Sequence, residues 1–354
     1  MTSANRQMAE DLAAQAREAA GETATAVLAQ HPEIRQRFGE DAHQAWTKHL
    51  SHQIVELSTA IAAGKPALFA SHVVWLRVTM AARDVPVTDL DISLDTLRQI
   101  LDKRLDMNLR SVALDCIDRA RAALDSSAVE VQESTLDPGL ANDRVAIRYI
   151  QAVVAGNART GMEIVMDAVR EGLSLRDAIL KVLMPAQKEA GNLWHMNKIS
   201  IAEEHMVTST TQRLMAVLAS YAECAADQGR TVVAASVAGN AHDVGIRAIS
   251  YLLEFAGWRT IYLGSDVPRG ELPEAINCFD ADIVMLSLAL TNQVPALRRA
   301  IEGIRARCGD SVKILIGGAG LAGAPDLWRE LGADGYAADA EKTLSLADEL
   351  VPLE

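Results

Sequence analysis

The stretch Ala235–Gly245, ASVAGNAHDVG, constrains this chain more than any other. It continues the apolar run Thr231–Val237 (TVVAASV), which is too short for a buried helix and rich in β-branched residues. The run breaks at Gly239 and presents His242 just before the amphipathic pattern Ile246, Ile249, Leu252, Leu253. A strand, a small-residue loop and a helix start make the place where an open parallel α/β sheet holds a ligand. Two further strand-like runs follow, ADIVMLSLAL around Ser287 and KILIGG, which closes on Gly317-Gly318.

With 41 residues between Gly245 and Ser287 and 27 between Ala289 and Gly317, this pattern resembles the signature of cobalamin-binding domains. That signature is an acidic residue, x, His, x, x, Gly, then Ser-x-Leu, then Gly-Gly, and the resemblance covers roughly residues 230–354. It implies that His242 ligates cobalt from below in place of the cofactor's own dimethylbenzimidazole. It further implies that Ser287 hydrogen-bonds the displaced tail and that Gly317 and Gly318 leave a slot for it. Asp243 and Gly245 lie within the same motif. Asn240 stands where the signature is usually acidic, so a neutral amide replaces the carboxylate behind the imidazole and should make His242 a less electron-rich ligand. Ala289 stands where the signature has Leu, with Leu290 directly after it. A Rossmann-like domain with a chance loop histidine is the competing reading.

The 354 residues suffice for two or three domains, and 49% apolar residues with only 4% aromatic suit an Ala/Leu-rich, mostly helical protein. A net charge of −13 with no basic block argues against nucleic acid or anionic lipid as a partner. Cys116, Cys224, Cys278 and Cys308 form no CxxC pair and read as reduced thiols. The N-terminus lacks an apolar signal core and no membrane-spanning apolar run occurs, so a soluble, cytoplasmic protein is expected.

The expected architecture is α + α/β: an all-helical N-terminal domain (1–125), a linker (126–143), a four-helix bundle (144–229) and a Rossmann-like, doubly wound parallel sheet (230–354). In the first part the periodicity predicts helices over Ala4–Ala29, to about Ala63, over Ala67–Arg83, and from an N-cap at Ser93 to about Leu124. Its histidines, His31, His43, His49, His52 and His72, show no metal-ligand spacing and read as exposed or hydrogen-bonded helix residues. The bundle helices are expected over 144–155, 158–171, 174–195 and 200–226, the last begun by a capping box at Ser200 and Glu203.

Within the bundle, LWHMNKISIAEEH carries more than periodicity. Ile201, Glu204 and His205 share a helix face, and Trp194 and His195 close the helix before it. A core aromatic and a solvated polar pair would also account for Trp194 and for Glu204-His205. The pattern of Trp, nine residues, then Glu-His resembles the cap of light-sensing adenosylcobalamin proteins of the CarH type, over residues 144–354. With the longer helical front domain, the whole chain is similar to the photocobilins, which add a bilin. The resemblance implies a bundle capping the upper face of the corrin, with Trp194 shielding an adenosyl group. Glu204 and His205 would meet the ribose, and His195 would become a cobalt ligand once light removes the nucleoside. It also implies a noncovalent biliverdin, since no cysteine precedes Cys116.

The expected function is therefore a light sensor, not an enzyme, signalling through self-association or a separate output protein. The alternative is a corrinoid protein that shuttles methyl groups between methyltransferases. A mutase subunit is more remote, for want of an eight-unit βα barrel.

Overall fold

The computed structural model describes residues 3–126 and 134–353. Residues 127–133 of the expected linker lie outside the described residues. Internal contacts divide the chain into two units. The first holds the described residues up to 126 together with 290–295 and 320–330; the second holds 134–289, 296–319 and 331–353.

The first unit contains α1 (Ser3–Ala14), α2 (Ala16–Gln30), α3 (Pro32–Phe38), α4 (Ala42–Ala63), α5 (Pro66–Ala81), α6 (Val87–Arg104) and α7 (Met107–Ser126). Pro32 and Pro66 open their helices where a missing N–H costs nothing. Gly64, at φ 62°, closes α4 in the left-handed conformation that glycine adopts freely. The expected helix start at Ser93 is corrected: α6 begins at Val87, and Ser93 is buried inside it with its Oγ donating to the Leu90 carbonyl at 2.8 Å. The break falls instead at Asp106, whose carboxylate accepts from the Asn108 and Leu109 N–H groups at 3.0 and 3.1 Å and restarts the helix. Leu50, Ile54 and Leu57 of α4, with Leu90, Leu94 and Leu97 of α6, are fully buried.

In the second unit, α8 (Ala141–Val154) and α9 (Ala158–Arg170) are followed by α10 (Leu175–Asp177). The latter runs through a π-helical turn, Ala178–Leu183, into α11 (Met184–His195). Pro185 carries no N–H to continue the ladder, which widens just before it. Asn197, at φ 56°, turns the chain back: its N–H donates to Trp194 O, and that of Lys198 to Leu193 O. α12 (Ile201–Ala219) then starts at the capping box. It stops short of the expected Ala226, because Ala225 N–H and Gln228 N–H donate to Phe255 and Gly257 carbonyls instead of to the helix.

The chain then alternates β1 (Thr231–Val237), α13 (Val244–Phe255), β2 (Arg259–Val267), α14 (Glu271–Phe279), β3 (Ile283–Ser287), α15 (Val294–Cys308), β4 (Lys313–Gly317), α16 (Leu327–Leu331), β5 (Gly335–Ala337) and α17 (Ala340–Leu350). The five strands are parallel in the order β2-β1-β3-β4-β5. All seven residues of β1 are buried, as a central parallel strand covered on both faces requires. Helices α8 to α12 share one apolar core with Val244, Ala248 and Leu252 of α13, so the helical segments and the sheet's first helix are packed together.

Candidate cofactor site

The strand order reverses direction between β1 and β3, and in such sheets ligands bind outside the carboxyl ends of the strands at that switch point. Register aligns Ser236, Ser287, Gly317 and Ala337 across β1, β3, β4 and β5 there. The loop leaving β1 carries Asn240 and His242 to this edge. Asn240 is completely buried. Its Oδ1 accepts from the His242 N–H at 3.1 Å and faces His242 Nδ1 at 3.2 Å. Its Nδ2 donates to the Ser287 carbonyl at 3.1 Å. These contacts fix which end of the amide is oxygen, so Nδ1 carries the proton and the Nε2 lone pair of the exposed imidazole is left for a metal.

Beside this loop lies a cavity of about 200 Å³, lined by Gly245, Ile249, Met285, Ser287, Gly317 and Gly318 among others. The three glycines differ. A Cβ on Gly245 would meet nothing within 4 Å, so its hydrogen keeps space open where a helix would favour alanine. A Cβ on Gly318 would lie 2.1 Å from the Leu288 carbonyl oxygen, with φ at 112°, and one on Gly317 would lie 2.9 Å from Ala337 O. The glycine pair is thus required first by the approach of neighbouring backbone and only then by the slot. Leu290 opens the short 3-10 turn Thr291–Gln293 and is exposed.

Asp243, directly after the imidazole, is buried and bonded from three elements. Gln212 Nε2 of α12 donates to Oδ1 at 2.7 Å, Arg247 Nη2 of α13 donates to Oδ2 at 2.8 Å, and the Tyr262 hydroxyl of β2 also donates to Oδ2. Burial opposes its ionisation, but the bonds from Tyr262, Arg247 and Gln212 and the Arg247 charge outweigh it and hold the carboxyl below its usual range. The Arg247–Asp243 spacing of four is visible in the sequence; Gln212 and Tyr262 are not.

On the helical segments, Glu204 accepts from Gln187 at 3.1 Å and Thr208 at 2.8 Å, and its other oxygen faces His205 Nδ1 at 2.8 Å. His205 itself is largely exposed, as is Ile201. Trp194 and His195 are half-buried at the end of α11.

The first unit holds polar groups of its own. His49 bonds to Gln53 at 2.6 Å, whereas His72 stacks on Trp75 and its Nε2 is buried with no hydrogen-bond partner among the described residues, so the expectation of exposed or bonded histidines fails at His72. Burial, then the His52 charge, pulls His49 down to about 4; burial, then His49 and His52, does the same to His72. Burial pushes Glu56 up to about 7 against hydrogen bonds from Asn292. A second cavity, of about 160 Å³, lies between Trp46, His49, Phe38, Met80 and Arg83. Among the described residues no group of three or more His, Cys, Asp and Glu could hold a metal ion unaided. One protein imidazole beneath a macrocycle needs no such group.

Fold and site together define a protein built around a B12 cofactor. Residues 230–345 match the B12 binding domain family, and residues 145–219 match a second B12 binding domain model. The dimethylamine corrinoid protein 3 of Methanosarcina mazei is 35% identical over 126 residues, covering 34% of this chain and 71% of the relative. A corrinoid protein of Desulfitobacterium hafniense is 26% identical over 207 residues, covering 57% of this chain and 94% of the relative. The monomethylamine corrinoid protein of Methanosarcina barkeri superposes with a TM-score of 0.51 at 21% identity, over 60% of this chain and all of that one, and so shares the fold. The chain belongs to the corrinoid protein family.

These relatives overturn the light-sensor expectation, for they are corrinoid proteins, the Methanosarcina ones of the methylamine type, and not photoreceptors. The adenosyl form of the cofactor, the noncovalent biliverdin, the separate output protein and the light-driven ligation by His195 rested on that resemblance and fall with it. Cobalamin itself stands. No helix among the described residues is long and apolar enough to cross a membrane.

Proposed function

We propose that this protein is a corrinoid methyl carrier that serves methyltransferases. When bound, the corrinoid supplies a cobalt centre able to accept and give up a methyl group. The observation that carries the reading is the arrangement at the end of β1. A buried amide holds Nδ1 of an exposed imidazole, on the loop that leads into Gly245 and its glycine-lined cavity at the sheet's switch point. The corrinoid relatives support it.

In this reading His242 would hold the cobalt through Nε2, and Asn240 would orient its ring. Ser287, Gly317 and Gly318 would receive the tail, and Gly245 would leave room for the ring. Trp194, His195, Ile201, Glu204 and His205 belong to a helical cap over the upper face, where Trp194 excludes water and Glu204 and His205 offer a polar rim. Methyl transfer requires that cap to give way to a partner enzyme.

The test loads the full chain with radiolabelled methylcobalamin and adds a corrinoid:thiol methyltransferase with a thiol acceptor. One equivalent should bind and its label should pass to the thiol. Retention of the label in the presence of active methyltransferase contradicts the carrier reading.

A further inference from the structure

We propose that Asp243 is a positioning residue that ties His242 to helix α12 through Gln212, so that the hold on the lower ligand depends on where the helical segments sit. The inference rests on the reading of His242 as the axial ligand and adds to it a link between the two faces of the site.

The peptide joining His242 to Asp243 is held on both sides. The His242 carbonyl accepts from Ser236 Oγ at 3.2 Å and Asn240 Nδ2 at 3.4 Å. Beyond it, the Asp243 carboxylate is almost wholly buried and takes donors from three different elements. Arg247 and Tyr262 belong to the sheet and its first helix, and they support each other, with the guanidinium 4.8 Å from the ring centroid. Gln212 alone comes from α12. It is the one donor that leaves if α12 moves, and the buried Oδ1 then loses the hydrogen bond it accepts. The imidazole one residue away then sits on a looser loop. Coupling of this kind is reciprocal: whatever weakens ligation by His242 also loosens α12. Arg247 and Tyr262 keep the carboxylate compensated meanwhile, so the loop slackens without unfolding.

The experiment uses the full chain grown with nitrogen-15 histidine and loaded with hydroxocobalamin that is then reduced to the cobalt(II) form. The electron paramagnetic resonance spectrum reports the fraction of cobalt bound to a protein imidazole, and circular dichroism checks folding. Gln212→Ala should lower the ratio of ligated to unligated cobalt on the order of ten-fold, the scale of one hydrogen bond to a charged group. Gln212→Glu, which sets a carboxylate against a carboxylate, should lower it further. Gln212→Lys keeps a donor and should restore it. A folded Gln212→Ala and Gln212→Glu with the wild-type ratio overturn the proposal while leaving His242 as the ligand. A wild type without a histidine nitrogen on cobalt overturns the axial-ligand reading itself, and the link with it.

Discussion

Gly245 and Gly318 sit at the same edge of the sheet for opposite reasons. A methyl group on Gly318 would run into the Leu288 carbonyl from a backbone that L residues avoid, so Gly318→Ala should cost on the order of 3 kcal/mol in thermal or denaturant unfolding. The same change at Gly245 meets empty space at a helix start and should raise stability by up to about 1 kcal/mol while weakening cobalamin binding ten-fold or more. Equal destabilisation by both would remove the distinction. Asn240 makes a similar point. In the sequence it looks like a weakened form of an acidic residue, yet its Nδ2 donates to Ser287 O, which no carboxylate can do. Asn240→Asp should therefore destabilise the chain by about 1–3 kcal/mol at neutral pH, measured by urea unfolding, instead of improving the site. Asn240, His242 and Gly245 are legible in the sequence because a short loop carries them all. Gln212 and Tyr262 lie 31 and 19 residues from Asp243 and meet it only through the packing of α12 and β2, which no local pattern encodes.

At the scale of elements, a helix boundary is readable where its own residues make it and hidden where distant partners or a continuing apolar period set it. Ser200 and Glu203 announce α12 because the capping box is made of their own side chains, with Ser200 N–H donating to Glu203 at 2.6 Å and Glu203 N–H donating back to Ser200 Oγ at 3.2 Å. Ser200→Ala should cost about 1 kcal/mol in thermal unfolding, and no loss would mean that the turn at Asn197 alone fixes this entry. The C-terminus of α12 is invisible in the sequence, since it is set by acceptors at Phe255 and Gly257 rather than by a breaker. The break between α6 and α7 is hidden because Asp106 caps a helix whose apolar period runs on through it. Parallel strands, by contrast, announce themselves as unbroken apolar runs, and β1, β3 and β4 fall where those runs predict.

For the whole molecule, the sheet and its loop tell the cofactor, and the helices mislead on the use made of it. An indole, a carboxylate and an imidazole at the end of α11 and the start of α12 suit a nucleoside, yet nothing in those side chains names their ligand, and the corrinoid-protein relatives decide against a light sensor. The first unit adds a pH dependence of its own. His49 and His72 stay neutral down to about 4, whereas an unfolded histidine takes a proton near 6.5, so their contribution is lost as pH falls between those values. Glu56, held near 7, works the other way and is most stabilising below 4.5. Each such group changes stability by about 1.4 kcal/mol per pH unit, so two imidazoles against one carboxyl leave a net loss of about 3 kcal/mol from pH 6.5 to 4.5. Urea unfolding should show it, and a double change of His49→Gln and His72→Gln should reverse the slope; a wild type that is flat across this range would contradict it. The central claim is that His242 grips cobalt in place of the cofactor's own base. The full chain, labelled with nitrogen-15 histidine and carrying cobalt(II) cobalamin, tests it in one paramagnetic resonance spectrum. A doublet splitting of the cobalt lines, from a single labelled nitrogen, is the predicted result; a triplet from the cofactor's unlabelled base, or no nitrogen splitting, would contradict it.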